Sequence, residues 1–286
     1  MKKIHFVTFL GAMIITSCSK PDDTNASNYQ SLSKKEVPKN VLDKLESAHF
    51  STANAFLTMY EGKEVVAVED MFLTFKEIHE LAEEYDNSGD LQKHYRTSNL
   101  VNVSGNTRTL IVDVTGSGLG TLGNKALNRT INAYNNINSD LRFRRLRSGE
   151  SANNIDIRVT VFAEQPNPIT GSIVLGRSEG FPRGGNPAPS FGLNSIAIDI
   201  LDIKRFELAQ IMAHEIGHAI GFRHTDFATR ESCTRGGNEG QAGVGAIYID
   251  GSPTGADTTS LMQACAGGNT TSIFNRNDRR AIRKVY

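Results

Sequence analysis

The residues from His214 to His224, HEIGHAIGFRH, contain three histidines at a spacing that lets them share one metal ion. If the segment is helical, His214 and His218 lie four residues apart and project from the same face. Gly221 permits the left-handed backbone that ends a helix, so the chain can turn back and bring His224 to the same point. Three imidazoles that leave a fourth position open are typical of a catalytic zinc site rather than a structural one.

Glu215 follows the first histidine, so its carboxylate is expected beside the metal without binding to it. From there it can accept a proton from water, the role of a general base. The alternative is a core helix with scattered histidines, but three of the chain's seven histidines fall at ligand spacing. An apolar column on the opposite face agrees with a helix that buries one side and offers the other to metal: Leu208, Met212, Ile216 and Ile220.

The composition excludes several classes of protein. The chain has 286 residues, a formal net charge of zero and 38% hydrophobic residues, which suits one sizeable domain with extensions. No basic excess indicates nucleic acid, and the glycine-rich stretch 176–192, predicted as a loop, lacks the strand-to-helix context of a nucleotide site. Nothing after the first twenty residues is apolar for long enough to cross a bilayer. We expect a monomer.

The N-terminus carries a targeting signal. Two lysines precede an apolar run over residues 4–15, as in a secretory signal peptide. The run ends in ITSC, which resembles the lipobox of bacterial lipoproteins. That resemblance implies a signal peptide over residues 1–18 and a lipid on Cys18 that anchors the chain to the bacterial outer membrane, on its periplasmic or surface side. A plain signal peptide with a coincidental cysteine is the alternative. Residues 19–40 are polar and are expected to form a flexible tether.

The other two cysteines, Cys233 and Cys265, form a candidate disulfide in an exported protein. Such a bridge would close a loop of about thirty residues and stabilise the fold by roughly 3–4 kcal/mol. Two free buried thiols are the alternative.

Hydrophobic periodicity predicts an α/β domain over residues 99–286. Strands are predicted at 107–114, 141–146, 155–162 and 195–200, and helices around 122–134 and 277–286. Residues 41–98 carry two helical patterns, Val41–Phe50 and Phe75–Tyr85, a strand-like run at Val65–Val68, and no catalytic motif. Their position ahead of the histidine motif predicts a pro-segment or a small N-terminal subdomain.

The extended motif HEIGHAIGFRHTDF resembles the dual-action HEIGH metallopeptidases, a bacterial family of the metzincin clan, and the resemblance extends over about residues 65–286. It implies a zincin fold: a mixed twisted sheet, a backing helix, an active-site helix, and a small C-terminal subdomain with a methionine turn and a terminal helix. The sequence SLMQ fits that turn, with Met262 beneath the zinc. The resemblance also implies zinc-dependent hydrolysis of internal peptide bonds in proteins or peptides, with Glu215 as the base.

The resemblance assigns two further roles. In metzincins the strand before the active-site helix lines the cleft and pairs with the extended substrate, which indicates Ser195, Ile196 and Ala197. An inert edge strand is the alternative. Metzincin pro-segments often block the zinc with a Cys or Asp side chain, and Asp70, with Glu69 before it, is the candidate here. A solvated strand end is the other interpretation.

Several positions after the motif stay open. Asp226 could accept the outer N–H of a ligand histidine or cap a turn. Some metzincins place a tyrosine two residues after the methionine, but this chain has Ala264 there, so no side chain is predicted to stabilise the oxyanion. Asp250 and Asp257 could hold Ca²⁺, although their spacing matches no calcium loop.

Two other functions remain as alternatives. One is a catalytically inactive, zincin-like surface lipoprotein used for binding or adhesion, and the other is a zinc hydrolase acting on non-peptide amides. An intact ligand set that still carries Glu215 favours a peptidase, because decayed sites usually lose the glutamate or one histidine first.

Overall fold

The computed structural model describes residues 30–48, 50, 52–83, 94–103, 105, 107–233, 237–240, 244–252, 257–265 and 271–286. The predicted signal peptide, Cys18 and the first part of the tether lie outside the described residues. Within the described part of the chain, no helix is both long and apolar enough to cross a membrane.

The described elements are eleven strands, six α-helices and one short 3₁₀ turn at Ala152–Asn154. The strands are β1 (Gln30–Ser31), β2 (Phe56–Tyr60), β3 (Lys63–Val68), β4 (Met71–Leu73), β5 (Tyr95–Arg96), β6 (Arg108–Asp113), β7 (Leu141–Arg145), β8 (Ile157–Ala163), β9 (Gly176–Ser178), β10 (Ser190–Asn194) and β11 (Ile247–Tyr248). The helices are α1 (Lys39–Ser47), α2 (Phe75–Glu83), α3 (Gly120–Asn135), α4 (Ser195–Ile200), α5 (Arg205–Ala219) and α6 (Arg276–Val285).

Nine of these strands form one mixed sheet in the described part of the chain. Its order is β2-β3-β4-β9-β10-β8-β6-β7, with β1 pairing in parallel with β8. The β10, β8, β6 and β7 neighbours are parallel, whereas β9 runs antiparallel to β10. In β8, Ile157 and Val159 are buried and Arg158 between them is exposed, which is the alternation that predicted this strand. The mixed α/β sheet with covering helices is compatible with the expected zincin fold.

Helix α3 connects the parallel strands β6 and β7 and supports the histidine helix α5. Its buried face contributes Ala126, Leu127 and Ile131 to the main core. Two hydroxyls then tie the helices together: Thr130 Oγ1 donates to the Ala209 carbonyl at 2.9 Å, and Tyr134 Oη donates to the Ala213 carbonyl at 2.7 Å. These hydrogen bonds fix the histidine helix α5 against α3, both along its axis and in its rotation about that axis.

The prediction of a strand at 195–200 is wrong. Ser195–Ile200 forms helix α4, and the strand lies just before it, at Ser190–Asn194. The Asn194 side chain accepts a hydrogen bond from the backbone N–H of Ile196 and so starts the helix. Alternation over six residues is too short to separate a strand from one helical turn.

This correction removes the predicted substrate strand. Ser195, Ile196 and Ala197 have helical backbone and cannot pair with an extended peptide. Strand β10 cannot take the role either, because it lies between β8 and β9. The stretch 176–192, predicted as a loop, instead contributes β9 and the start of β10.

The N-terminal elements are joined to the rest of the fold. Strand β4 extends the sheet by pairing in parallel with β9, Met71 opposite Ser178. Strand β5 pairs with β11, and the buried His94 lies 3.0 Å from Asp278 of α6. The division at residue 98 into a removable segment and a catalytic domain stays a prediction.

Candidate metal centre

The first two histidines lie on one helix, and the third follows the turn that ends it. Helix α5 ends at Ala219, and Gly221 adopts a positive φ of 107°. A Cβ at this glycine would lie 2.9 Å from both Leu100 and Thr97, so the turn needs glycine for its backbone and for its space. After this turn the chain runs back and brings His224 beside the helix.

The three imidazoles converge on one point. The Nε2 atoms of His214 and His218 are 3.0 Å apart, those of His218 and His224 are 3.2 Å apart, and those of His224 and His214 are 3.3 Å apart. Three nitrogens at about 2.0–2.1 Å from one tetrahedral zinc would be separated by about 3.3 Å. The spacing of the nitrogens thus fits a shared metal ion.

The outer nitrogens of the same rings fix which nitrogen carries the proton. Nδ1 of His214 lies 2.8 Å from the Leu261 carbonyl, and Nδ1 of His218 lies 2.8 Å from the Phe222 carbonyl. Nδ1 of His224 lies 2.8 and 2.9 Å from the two carboxylate oxygens of Glu239. Because carbonyl and carboxylate oxygens only accept, each Nδ1 donates, and in a neutral imidazole this leaves Nε2 able to bind a metal ion. Three such nitrogens that face one point are the arrangement in which imidazoles bind a metal ion.

Asp70 occupies the fourth side of this cluster. Its Oδ2 lies 2.8 Å from Nε2 of His224, 3.0 Å from that of His218 and 3.7 Å from that of His214. Among the described residues these four side chains form the one cluster able to hold a metal ion. The turn at Glu69 and Asp70, between β3 and β4, thus brings the candidate blocker into the site instead of leaving it solvated.

Glu215 lies at this site with an unusual charge environment. Its side chain is buried, and its Oε2 has no hydrogen-bond donor among the described residues. Burial raises the pKa of Glu215 well above its ordinary value, and the charge of Asp70 raises it further, against smaller opposing effects of His224 and Arg177. A carboxylate with a raised pKa suits a group that takes up and releases a proton.

Strand β9 leaves room for that carboxylate. A Cβ at Gly176 would lie 2.5 Å from Oε1 of Glu215 and 2.9 Å from its Cδ. Glycine at the first position of β9 therefore allows close approach between the strand and the glutamate.

Met262 packs beneath the histidine helix. A Cβ at Gly217 would lie 2.5 Å from the Met262 sulfur, so the helix has a glycine where the methionine approaches. The Met262 carbonyl accepts from the Thr225 N–H at 2.7 Å. Asp278 accepts from the hydroxyl of Ser260 at 2.6 Å and from the N–H of Leu261 at 3.1 Å.

The hydrogen bonds of the Asp226 carboxylate go to Ser232 and Ala264 rather than to a ligand histidine. Its Oδ2 accepts from the Ser232 hydroxyl at 2.6 Å and from the Ser232 N–H at 3.0 Å, and its Oδ1 accepts from the Ala264 N–H at 2.9 Å. The structure therefore favours the turn-capping alternative for Asp226. Glu239 takes the expected place beside the imidazole, and the sequence gives no signal for it because it lies in a glycine-rich loop without regular spacing.

Two other sequence expectations have clear outcomes. Cys233 and Cys265 form the predicted disulfide, with their Cα atoms 5.1 Å apart. The calcium alternative gains no support, because Asp257 Oδ2 accepts 2.8 Å hydrogen bonds from the side-chain amides of Asn275 and Asn277. That oxygen faces donors rather than a cation.

A mixed α/β fold with a partly buried cluster of three histidines and a carboxylate is compatible with the class of metal-dependent enzymes. Over residues 65–286 the chain matches the family model described as dual-action HEIGH metallo-peptidase. The chain belongs to this family of metallopeptidases. The match includes Asp70 as well as the histidine helix. A search of curated proteins found no match.

Proposed function

We propose that this protein is a zinc-dependent endopeptidase that hydrolyses internal peptide bonds of proteins or peptides, and that the structure is its latent form. The observation that carries the proposal is the convergence of three Nε2 atoms, 3.0–3.3 Å apart, beside a buried glutamate. Family membership supports it, because the family is one of metallopeptidases.

Zinc bound to the three imidazoles supplies a Lewis acid and lowers the pKa of water beside it. Glu215 then acts as the base. As the water oxygen bonds to the carbonyl carbon, Glu215 accepts a proton, and it passes that proton to the leaving nitrogen when the C–N bond breaks. Met262 supplies the apolar floor under the imidazoles, in the place of the methionine turn.

The substrate is proposed to bind along β9 rather than along residues 195–197. On its far side from β10, β9 pairs with β4, and the Ser178 N–H donates to the Asp70 carbonyl at 2.9 Å. An extended peptide added to this edge would need the same backbone groups. Strand β4 therefore occupies the position that a substrate strand would take.

Asp70 is proposed to keep the enzyme latent by presenting its carboxylate to the open position of the metal. Two features hold it there. Glu69 has a positive φ of 50°, a conformation that costs energy for a non-glycine residue, and its carbonyl accepts from the buried Arg177 guanidinium. Arg177 in turn pairs with Glu164 at 3.1 Å. A strained turn held by a buried ion pair suits a segment that must be released.

The cellular setting is proposed from the sequence. We infer that the protein is exported and held at the outer membrane by a lipid on Cys18, as a monomer. The Cys233–Cys265 disulfide supports export, since such bridges persist in oxidising compartments.

The test compares three purified full-length variants: Asp70→Ala, the same variant with Glu215→Ala, and the same variant with Glu207→Ala. Glu207 is an exposed residue on the same helix and serves as the matched control. Each protein is incubated with a peptide library, cleavage is read by mass spectrometry, and zinc is measured by atomic absorption. We expect Asp70→Ala and the Glu207 control to cleave, and the Glu215 variant to keep its zinc and lose about 10²–10⁴-fold in rate.

Three outcomes would contradict the proposal. Equal cleavage with and without Glu215 would refute the role of the base. Stoichiometric zinc without turnover in any variant would favour a binding or adhesion protein. Uncut peptides together with hydrolysis of small amides would favour a non-peptide hydrolase.

A further inference from the structure

His224 differs from the other two candidate ligands in how it is held. His214 and His218 lie on α5, so the helix sets their positions, and backbone carbonyls accept from their outer nitrogens. His224 lies beyond the end of the helix, in a segment without regular structure. Its outer nitrogen contacts a side chain, Glu239, fifteen residues further along the chain.

Glu239 is built into the fold rather than exposed near the site. The residue is about 1% exposed, and its backbone N–H donates to the Phe227 carbonyl at 2.7 Å. Both of its oxygens face Nδ1 of His224, at 2.8 and 2.9 Å. An acceptor placed so symmetrically restricts the imidazole to one tautomer and one ring orientation.

Two arginines offset the cost of burying this carboxylate. Arg230 Nη1 lies 2.9 Å from Glu239 Oε1, and Arg223 Nη2 lies 3.8 Å from Oε2. Arg223 is itself buried and also donates to the carbonyls of Gly240 and Gly245 at 3.1 Å each. The two arginines thus compensate the charge of Glu239, and Arg223 also fixes the loop that carries it.

We propose that Glu239 is the positioning residue of His224 and that it sets the affinity of the site for zinc. The inference rests on the proposed function only in taking the three histidines as the zinc ligands. Loss of a carboxylate that orients a ligand histidine typically weakens metal binding by about 10–100-fold. Glu239 itself contributes no metal ligand.

Two substitutions of Glu239 separate an effect on the orientation of His224 from an effect on the overall fold. Glu239→Gln keeps an oxygen that can accept from Nδ1 of His224. Glu239→Ala leaves that N–H without its acceptor, and Arg230 keeps only the more distant carboxylate of Glu69, at 3.7 Å. We expect Ala to weaken zinc binding by about 10–100-fold and Gln to restore a large part of the lost affinity.

The experiment uses the metal-free full-length protein with its disulfide intact. Zn²⁺ affinity is measured by competition with a chromophoric chelator, and the visible spectrum of the Co²⁺-loaded protein reports the coordination of the metal. Circular dichroism checks that each variant folds. Asp226→Asn is the matched control, because Asp226 is a buried carboxylate two residues from His224 whose hydrogen bonds go to Ser232 and Ala264 instead of a ligand histidine.

The expected result is a weaker and spectrally altered site in Glu239→Ala, partial rescue by Gln, and an unchanged spectrum in Asp226→Asn. Unchanged zinc affinity in folded Glu239→Ala would overturn the inference, as would a Gln variant as weak as Ala. A wild-type protein that binds no zinc would instead refute the proposed function, so the two failures are distinguishable.

Discussion

At the scale of single residues, the close approach of Gly176 to Glu215 gives a direct test of the base. A methyl group at position 176 would lie 2.5 Å from Oε1 of Glu215, so the carboxylate must move. We expect Gly176→Ala, made with Asp70→Ala, to lose about 100-fold in peptide cleavage, because a displacement of about 1 Å can cost that much. Cleavage is measured by steady-state kinetics and zinc content by atomic absorption, which should not change.

Gly237→Ala is the control for this substitution, since its Cβ would make only ordinary contact, 3.4 Å from Arg230 Cδ. Full activity in Gly176→Ala would show that Glu215 can move without loss. The role of Glu215 as a fixed base would then be wrong.

The sequence predicted the residues that face the metal, but it missed the groups that accept hydrogen bonds from the outer nitrogens of the imidazoles. Residues 214, 215, 218 and 224 lie within eleven positions, so helix geometry and the glycine turn at Gly221 place them together. The outer partners are Leu261, Phe222 and Glu239, of which two are backbone carbonyls that carry no sequence signal. Asp226 was the plausible acceptor from its proximity in the chain, but Ser232 and Ala264 donate to its two oxygens.

At the scale of elements, the disulfide joins the loop after His224 to the segment of Met262. Around it, the Ser232 hydroxyl accepts from the Cys265 N–H at 3.0 Å and donates to Asp226. Replacing both cysteines by serine is expected to lower the free energy of unfolding by about 2–4 kcal/mol, since the bridge restricts the conformations of the unfolded chain. Urea unfolding with and without reductant measures this. A wild-type protein that is insensitive to reductant would contradict the expectation, and the double variant should be insensitive.

The start of helix α6 carries a pH-dependent contribution to stability. Burial alone would raise the pKa of Asp257, but hydrogen bonds from Asn277, Asn275 and Thr259 outweigh it and lower the pKa below its ordinary value. A lowered pKa in the folded state stabilises the fold above the unfolded-state pKa of about 3.9. That stability is lost as the pH falls through the folded-state value.

We therefore expect Asp257→Asn to be less stable than wild type at pH 7, and the difference to shrink below about pH 4. Thermal unfolding across this pH range measures the effect. Asp43→Asn, at an exposed ion pair on α1, is the control. A stability difference that stays constant with pH would contradict the argument.

Elements with long periodic patterns were predicted well, and short ones were not. The apolar spacing of α3 and the alternation of β8 extend over enough residues to define one period. Residues 195–200 alternate over only six positions, and the cap at Asn194 decides for a helix. Strand β9 has three residues and is defined by its neighbours, so no local pattern could show it.

At the scale of the whole molecule, the site draws on segments that are far apart in the chain. Asp70 comes from the edge formed by β3 and β4, the histidines from α5 and its turn, Glu239 from the following loop, and Leu261 from the segment packed on α6. Local patterns predict each element but not these pairings, because β4 joins the sheet at β9 through contacts over one hundred residues apart.

A metal bound at this site should stabilise the distant segments that form the site at the same time. Zinc that binds only the folded state stabilises it by about 2.7 kcal/mol at a hundred times its dissociation constant. We expect chelation of zinc to lower Tm and to raise amide hydrogen exchange in two distant places, β4 with its turn and residues 257–265. Exchange in α3, which supplies no candidate ligand, should change less. In Asp70→Ala, zinc should still protect 257–265 but no longer protect β4, because that substitution cuts the link between the edge strand and the metal. Equal protection of β4 by zinc in both proteins would mean that Asp70 does not bind the metal, and the latent-form proposal would then fail.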